Sequence, residues 1–469
     1  MGFHIHLGKC EAWWPEGDPS LPELPAEIQR VPQADVKILK VPVGTDEYIA
    51  GELRERISKM SLVTDKLQDL DDTHAEFTLL RACLGVTKIG FLLRGVVPSD
   101  PVLAACRDAD ELTRRTLERV MGESVDDAAW TQAGLSPSFG GLGLRHAEDM
   151  AHPAFLGSVI DTTQLVLSLV GKEAFTILGT SDAVSAFQSK WPDHINLSEG
   201  ILLGRLRSGT LSSETIADAP AKSQSNLQDI VDGNIWDALR AAALANSRDR
   251  LDATRRKHAG AWISVFPNQA LGLWMPSREF SVAVRCWIGS TTQAENRSLL
   301  KPGLVMYGRH HSIQECLMGL CKSAGVSAQK EILIDTSNQR PADVFLPHWR
   351  RGVSYAVDVT VSHPSQAITS SSDGAHSPIS ASERAACAKS EAKDRKYRSQ
   401  CEARGIEFLA AVVCCFGGWL EPGEDLVSDI ATRSAARSGQ SLPMIKSQFW
   451  QRLSMALWRG NAGQLLHYT

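Results

Sequence analysis

Two strand-like runs, residues 342–346 and 353–361, flank His348-Trp349-Arg350-Arg351-Gly352, and no other stretch constrains the fold of this chain as tightly. Both runs are apolar, and a glycine closes the short connection between them, so the segment is predicted to be a β-hairpin. The hairpin would also fix a register. Positions 343 and 358 lie equally far from the middle of the connection, so Asp343 and Asp358 face each other, or nearly so, across the strands. Directly opposed like charges destabilise a sheet. At roughly 5 Å and an effective dielectric near 20 the repulsion is about 3 kcal/mol. A bound divalent cation is the simplest reason for a fold to keep such a pair, and magnesium suits a few carboxylate oxygens completed by water and substrate phosphate. Thr360, two residues beyond Asp358, points to the same face. Glu331, on a strand-like run over 330–334, is a candidate third carboxylate. Taken singly, either aspartate could instead cap a turn or pair with Arg350 or Arg351.

Residues around the hairpin extend the same unit. Ile313, Cys316, Leu317, Leu320 and Cys321 share one face of a helix expected over 311–324, which Gly325 ends. A second helix is expected over 382–404, ended by Gly405. On it Lys389, Lys393 and Lys396 recur at helical spacing and share a face. A lysine beside a metal-held phosphodiester can orient the attacking water or stabilise developing charge. A solvated helix surface is the plain alternative. The apolar run 408–416 reads as a buried strand that completes the sheet. Carboxylates, a metal and a lysine together describe a phosphodiesterase.

The remainder of the chain reads as mostly helical. Alternation over 36–41 suggests a strand, and apolar spacing suggests helices over 47–70, 73–84 and 101–120. Gly140-Gly141-Leu142-Gly143-Leu144-Arg145 lacks a preceding strand and a following Gly-Lys-Ser/Thr. It is therefore read as a turn before a helix near 147–159 and not as a phosphate loop. Residues 208–225, rich in Ser, Thr and Ala, suggest a linker. A charged helix is expected over 235–259, followed by an aromatic segment in which Trp262, Phe266, Leu273, Trp274 and Phe280 pack a small core. The ten cysteines include no Cys-x-x-Cys pair, as in a reduced intracellular protein. No signal peptide or membrane span is visible, the most apolar run, 408–416, being too short. A net charge of −5 counts mildly against a dedicated nucleic-acid binder, although Arg350-Arg351 and the stretch 389–398 are locally basic.

Arg340-Pro341-Ala342-Asp343, then Ala356-Val357-Asp358-Val359-Thr360-Val361, then Lys393-Asp394-Arg395-Lys396-Tyr397, resemble the signature of the restriction-like endonucleases carried by non-LTR retrotransposon reverse transcriptases. These belong to the broad PD-(D/E)XK nuclease class. The resemblance implies Asp343 and Asp358 as metal ligands, with Glu331 as a less secure third, and a catalytic lysine among Lys389, Lys393 and Lys396. Thr360 stands where many such enzymes place lysine, so the lysine must come from the helix. Gly308-Arg309-His310-His311 resembles the segment before that nuclease, and Gln451-Arg452-Leu453-Ser454 through Asn461-Ala462 resembles its closing helix. Arg309, His310, Arg350, Arg351 and Lys389 are the expected DNA contacts.

Further back, Trp130-Thr131-Gln132-Ala133 with the Gly140 turn is similar to the region after a polymerase thumb. Leu7-Gly8-Lys9-Cys10-Glu11 and Lys40-Val41-Pro42-Val43-Gly44 are similar to the last palm motifs. The fold implied is a multidomain α+β protein: a palm remnant (1–45), a helical thumb-like and connecting region (46–207), a linker (208–230), a helical aromatic-rich domain (231–307) and a restriction-endonuclease-like α/β domain with a central mixed sheet (308–469). No Tyr/Phe-x-Asp-Asp motif is present, so no polymerase activity is expected from this chain alone. The family's zinc knuckle has no counterpart, since 295–307 holds neither Cys nor His, and zinc is not expected. Mg2+ or Mn2+ is the implied cofactor. The implied partners are DNA and, second, retrotransposon RNA, with no membrane, in a nuclear or otherwise intracellular setting. The start of the chain inside a palm-like segment suggests a fragment of a longer reading frame.

Overall fold

The hairpin forms, as part of a four-stranded mixed sheet. The computed structural model describes residues 6–12, 25–30, 35–291, 304–332, 342–364 and 380–468. The protein is mostly helical, and the sheet lies toward its C-terminal end. In chain order this region comprises helix α1 (Leu304–Ser323), strands β1 (Gln329–Ile332), β2 (Ala342–Arg350) and β3 (Val353–Ser362), helix α2 (Ala381–Glu402), strand β4 (Ile406–Cys414), and helices α3 (Glu421–Ser438) and α4 (Leu442–Tyr468). The strand order is β4-β3-β2-β1, with β1–β2 and β2–β3 antiparallel and β3–β4 parallel. Parallel neighbours need a crossover rather than a tight turn, and α2 lies within that crossover. Ser380 caps its first turn by accepting a hydrogen bond from the Glu383 amide. Gly405, at φ +66°, turns the chain out of it.

The hairpin is longer and less regular than expected. Strand β2 continues through Arg350, and the pairing shifts between Leu346 and Arg350. His348 and Arg351 take left-handed φ angles of 49° and 51° there, so the extra length is absorbed as a bulge. Arg340, Pro341 and residues 333–334 lie outside the described residues. Val344, Leu346, Val357, Val359, Ala411 and Val413 pack with side chains of α1, α3 and α4. Ala356, Phe408, Ala410 and Val412 pack with Ala386, Tyr397 and Cys401 of α2. Burial on both faces explains why 408–416 is apolar without alternation.

The chain divides into two compact units. One comprises Met1–Lys66, Ala82–Arg115 and Arg145–Asn234. Its helices include Asp46–Lys66, Ala147–Val170, Thr180–Lys190 and Leu197–Leu206. The expected strand over 36–41 is instead a small hairpin, Val36–Ile38 with Val41–Val43, turning at Leu39 and Lys40, both at positive φ. The expected linker over 208–225 is folded: Thr210–Ser212 pairs with Ala174–Thr176, Leu211 is fully buried, and Arg205 donates to the Glu214 and Ala217 carbonyls. Ala147–Val170 is, among the described residues, long and apolar enough to cross a membrane by length and composition, although no span was expected from the sequence, and half of its apolar window is buried inside the fold.

The other unit comprises Leu67–Arg81, Thr116–Leu144 and Ile235–Thr469. Trp262 stacks on Trp458 of α4 at 5.1 Å and meets Trp287 edge-on at 5.9 Å. Phe280 sits 5.3 Å from Phe77. The aromatic segment therefore builds the same core as the closing helix, although Phe266 is 66% exposed and takes no part in it. The helix expected over 235–259 is two, Ser223–Ala242 and Ala245–Thr254. At the glycine turn, the amides of Gly141, Leu142, Gly143 and Leu144 all donate to backbone carbonyls, so none is left to cradle a phosphate. A Cβ on Gly141 would meet the Leu135 oxygen at 2.0 Å, so only glycine fits that close chain reversal.

Candidate functional site

The pairing of Val344 with Val357 places Asp343 and Asp358 one step further along the same register. Val357 and Val359 fill one face of the sheet, so Asp358, between them, points to the α2 face. Lys393 of α2 reaches it there, donating from Nζ to Asp358 Oδ1 at 2.7 Å. The Thr360 hydroxyl donates to Asp358 Oδ2 at 2.7 Å. Asp358 is buried, and burial raises its pKa above the ordinary carboxylate value. Lys393 opposes that rise and the Asp343 charge adds to it.

Asp343 is fixed from the other direction. Its Oδ2 accepts the Val359 amide at 2.7 Å and the His310 ring Nε2 at 2.9 Å. Gln314, one helical turn beyond His310 on α1, donates to the Asp343 carbonyl at 2.7 Å. Two side chains at i and i+4 thus hold one residue by its carboxylate and its backbone. The hydrogen bond to Asp343 raises the His310 pKa, against the lowering effect of burial. The result is two carboxylates on adjacent strands, each matched by a base from a different helix.

The other expected site residues are placed differently. Glu331 is exposed at φ +49°, and among the described residues no three His, Cys, Asp or Glu side chains are grouped to hold a metal. Lys396 lies over the Tyr397 ring at 4.7 Å, and Lys389 is half-buried on the same helix. Arg350 does not point freely to solvent. Its Nε donates to Asp429 of α3 at 2.8 Å. Arg351 is exposed in the turn. Arg309 is only 4% exposed and donates to Asn461 of α4 at 3.1 Å. Of the five expected DNA contacts, His310 alone joins the carboxylates, as a partner of Asp343. Gln314 was missed, and the spacing of His310 and Gln314 on one helical face was the available signal.

Two carboxylates on the adjacent inner strands β2 and β3 offer oxygen donors of the kind magnesium takes, with water and phosphate completing its octahedron. Asp343 Oδ1 accepts no hydrogen bond from a described residue. No protein-family model matches the chain, and no curated protein matches it.

Proposed function

We propose that this protein is a magnesium-dependent DNA endonuclease, of the restriction-like kind found in non-LTR retrotransposons, which nicks a strand by phosphodiester hydrolysis. The observation that carries the reading is the Asp343–Asp358 pair with Lys393 bound to Asp358. Asp343 and Asp358 are the residues that would hold the ion. Bound there, magnesium would supply Lewis-acid chemistry, polarising the scissile phosphate and making water a better nucleophile. Lys393 stands where an ammonium can orient that water and offset charge growing on the phosphoryl oxygens. His310, hydrogen-bonded to Asp343, can hold a proton beside the reacting phosphate. The test is nicking of supercoiled plasmid in magnesium. Asp358→Asn should lower the rate at least 100-fold while the far-ultraviolet circular dichroism stays unchanged. Equal nicking by the variant sinks the assignment.

A second reading has its own observation. Both carboxylates already have a basic partner, Asp358 through Lys393 and Asp343 through His310. A site neutralised in that way is also what a non-catalytic nucleic-acid-binding remnant would keep. Salt-dependent DNA binding with no magnesium-dependent cleavage would favour it.

A further inference from the structure

Helices α1 and α4 leave a cleft of about 520 Å³ between them, lined among others by Arg309, Ser312, Arg452 and Arg459. Arg452 and Arg459 lie at i and i+7 on α4, so they stand on one face two turns apart. Gly308 and Gly463 also line the cleft, and a Cβ at either would meet nothing within 4 Å, which leaves that wall open. Gly460 lets the helices approach, since a Cβ there would sit 2.8 Å from the Arg309 Cα.

Charge in the cleft is unbalanced. Arg309 donates from Nη1 to Asn461, a neutral amide, and its buried Nε has no partner. Burying a guanidinium without a carboxylate is costly, and among the described residues Arg309 forms no ion pair. Arg452 and Arg459 form none there either. Glu315, the nearest acid on α1, is neutralised by Lys330. Glu279 is the remaining carboxylate of the lining; burial disfavours its charged form, and the charge of Arg459 offsets only part of that. Three cations against one weakened anion favour a small, multiply charged anion with oxygen acceptors. Guanidinium groups match phosphate oxygens in geometry and number.

We propose that this cleft is a phosphate-binding site, distinct from the carboxylate pair. Arg309 is the neighbour of His310 on α1, a helix about 10 Å across, so the cleft lies within a few nucleotides of Asp343. The phosphate is accordingly that of a nucleic-acid strand running past the carboxylates. That source rests on the nuclease reading, whereas the anion site itself does not.

The test uses the full chain and its Arg452→Ala/Arg459→Ala variant, both altered positions being at least partly solvent-accessible. Two probes are read: a fluorescein-labelled single-stranded oligonucleotide by anisotropy, and inorganic phosphate by its thermal shift relative to chloride at equal ionic strength. The variant is expected to bind the oligonucleotide about tenfold more weakly. Its salt dependence should be shallower by about one to two contacts' worth of slope. It should also lose the phosphate-specific thermal shift. Loss of the phosphate shift with unchanged oligonucleotide binding would keep the anion site and overturn the strand as its source. Unchanged behaviour toward both probes would overturn the site. Arginine-dependent binding with no nicking by the unaltered chain would sink the nuclease reading and leave this site standing.

Discussion

His310 meets Asp343 in a hydrogen bond whose strength depends on the charge of the ring. The His310 pKa is raised by its bond to Asp343, so its contribution to stability is complete below its ordinary value of about 6.5 and is lost as pH rises through the higher folded value. The melting-temperature gap between the protein and His310→Asn should therefore be widest near pH 6 and narrow as pH rises toward 9. A gap that stays constant over that range would show that the ring is held by packing alone. The Lys393–Asp358 pair gives a second prediction. Lys393→Met leaves a buried carboxylate without its ammonium. A fully buried pair loses 3–5 kcal/mol in this way. Lys393 is 31% exposed, and screening reduces the cost to roughly 1–3 kcal/mol. If the carboxylates hold a divalent ion, magnesium should restore part of that loss, giving a larger thermal shift in the variant than in the unaltered chain. Equal shifts would argue against an ion between Asp343 and Asp358.

At the scale of elements, what was legible in the sequence was what depends on neighbours along the chain. Strand β3, helix α2 and strand β4 are marked by composition and by Gly352 and Gly405, and the opposed aspartates follow from the hairpin alone. The bulge before Arg350 was not legible, because alternation carries no sign of a shift in pairing. The Ser- and Thr-rich stretch over 208–225 was misread for a related reason. Leu211 and its pairing with Phe175 fold it, and composition does not record a partner thirty-six positions away. The aromatic core is the extreme case, since Trp262, Trp287 and Trp458 meet only in three dimensions. Trp458→Ala should lower unfolding free energy by about 3–5 kcal/mol, measurable by urea titration. A loss below 1 kcal/mol would mean that α4 is not integral to this core.

At the scale of the molecule, the sheet-bearing region cut at residue 308 would lack Trp262, Trp287 and the aromatic partners they bring. A fragment of 308–469 is expected to bind a hydrophobic dye and to be digested by protease faster than the full chain. Equal protease resistance would show that the sheet and its four helices suffice by themselves. The sheet-bearing unit draws on Leu67–Arg81 as well as on α4, which has a consequence in time. A ribosome adds roughly 5–20 residues per second, so the passage from Leu67 to Trp458 takes on the order of 20–80 s. Through the later part of that interval Trp262 waits for Trp458, on which it stacks. The aromatic core of this unit is therefore completed only once α4 has been made.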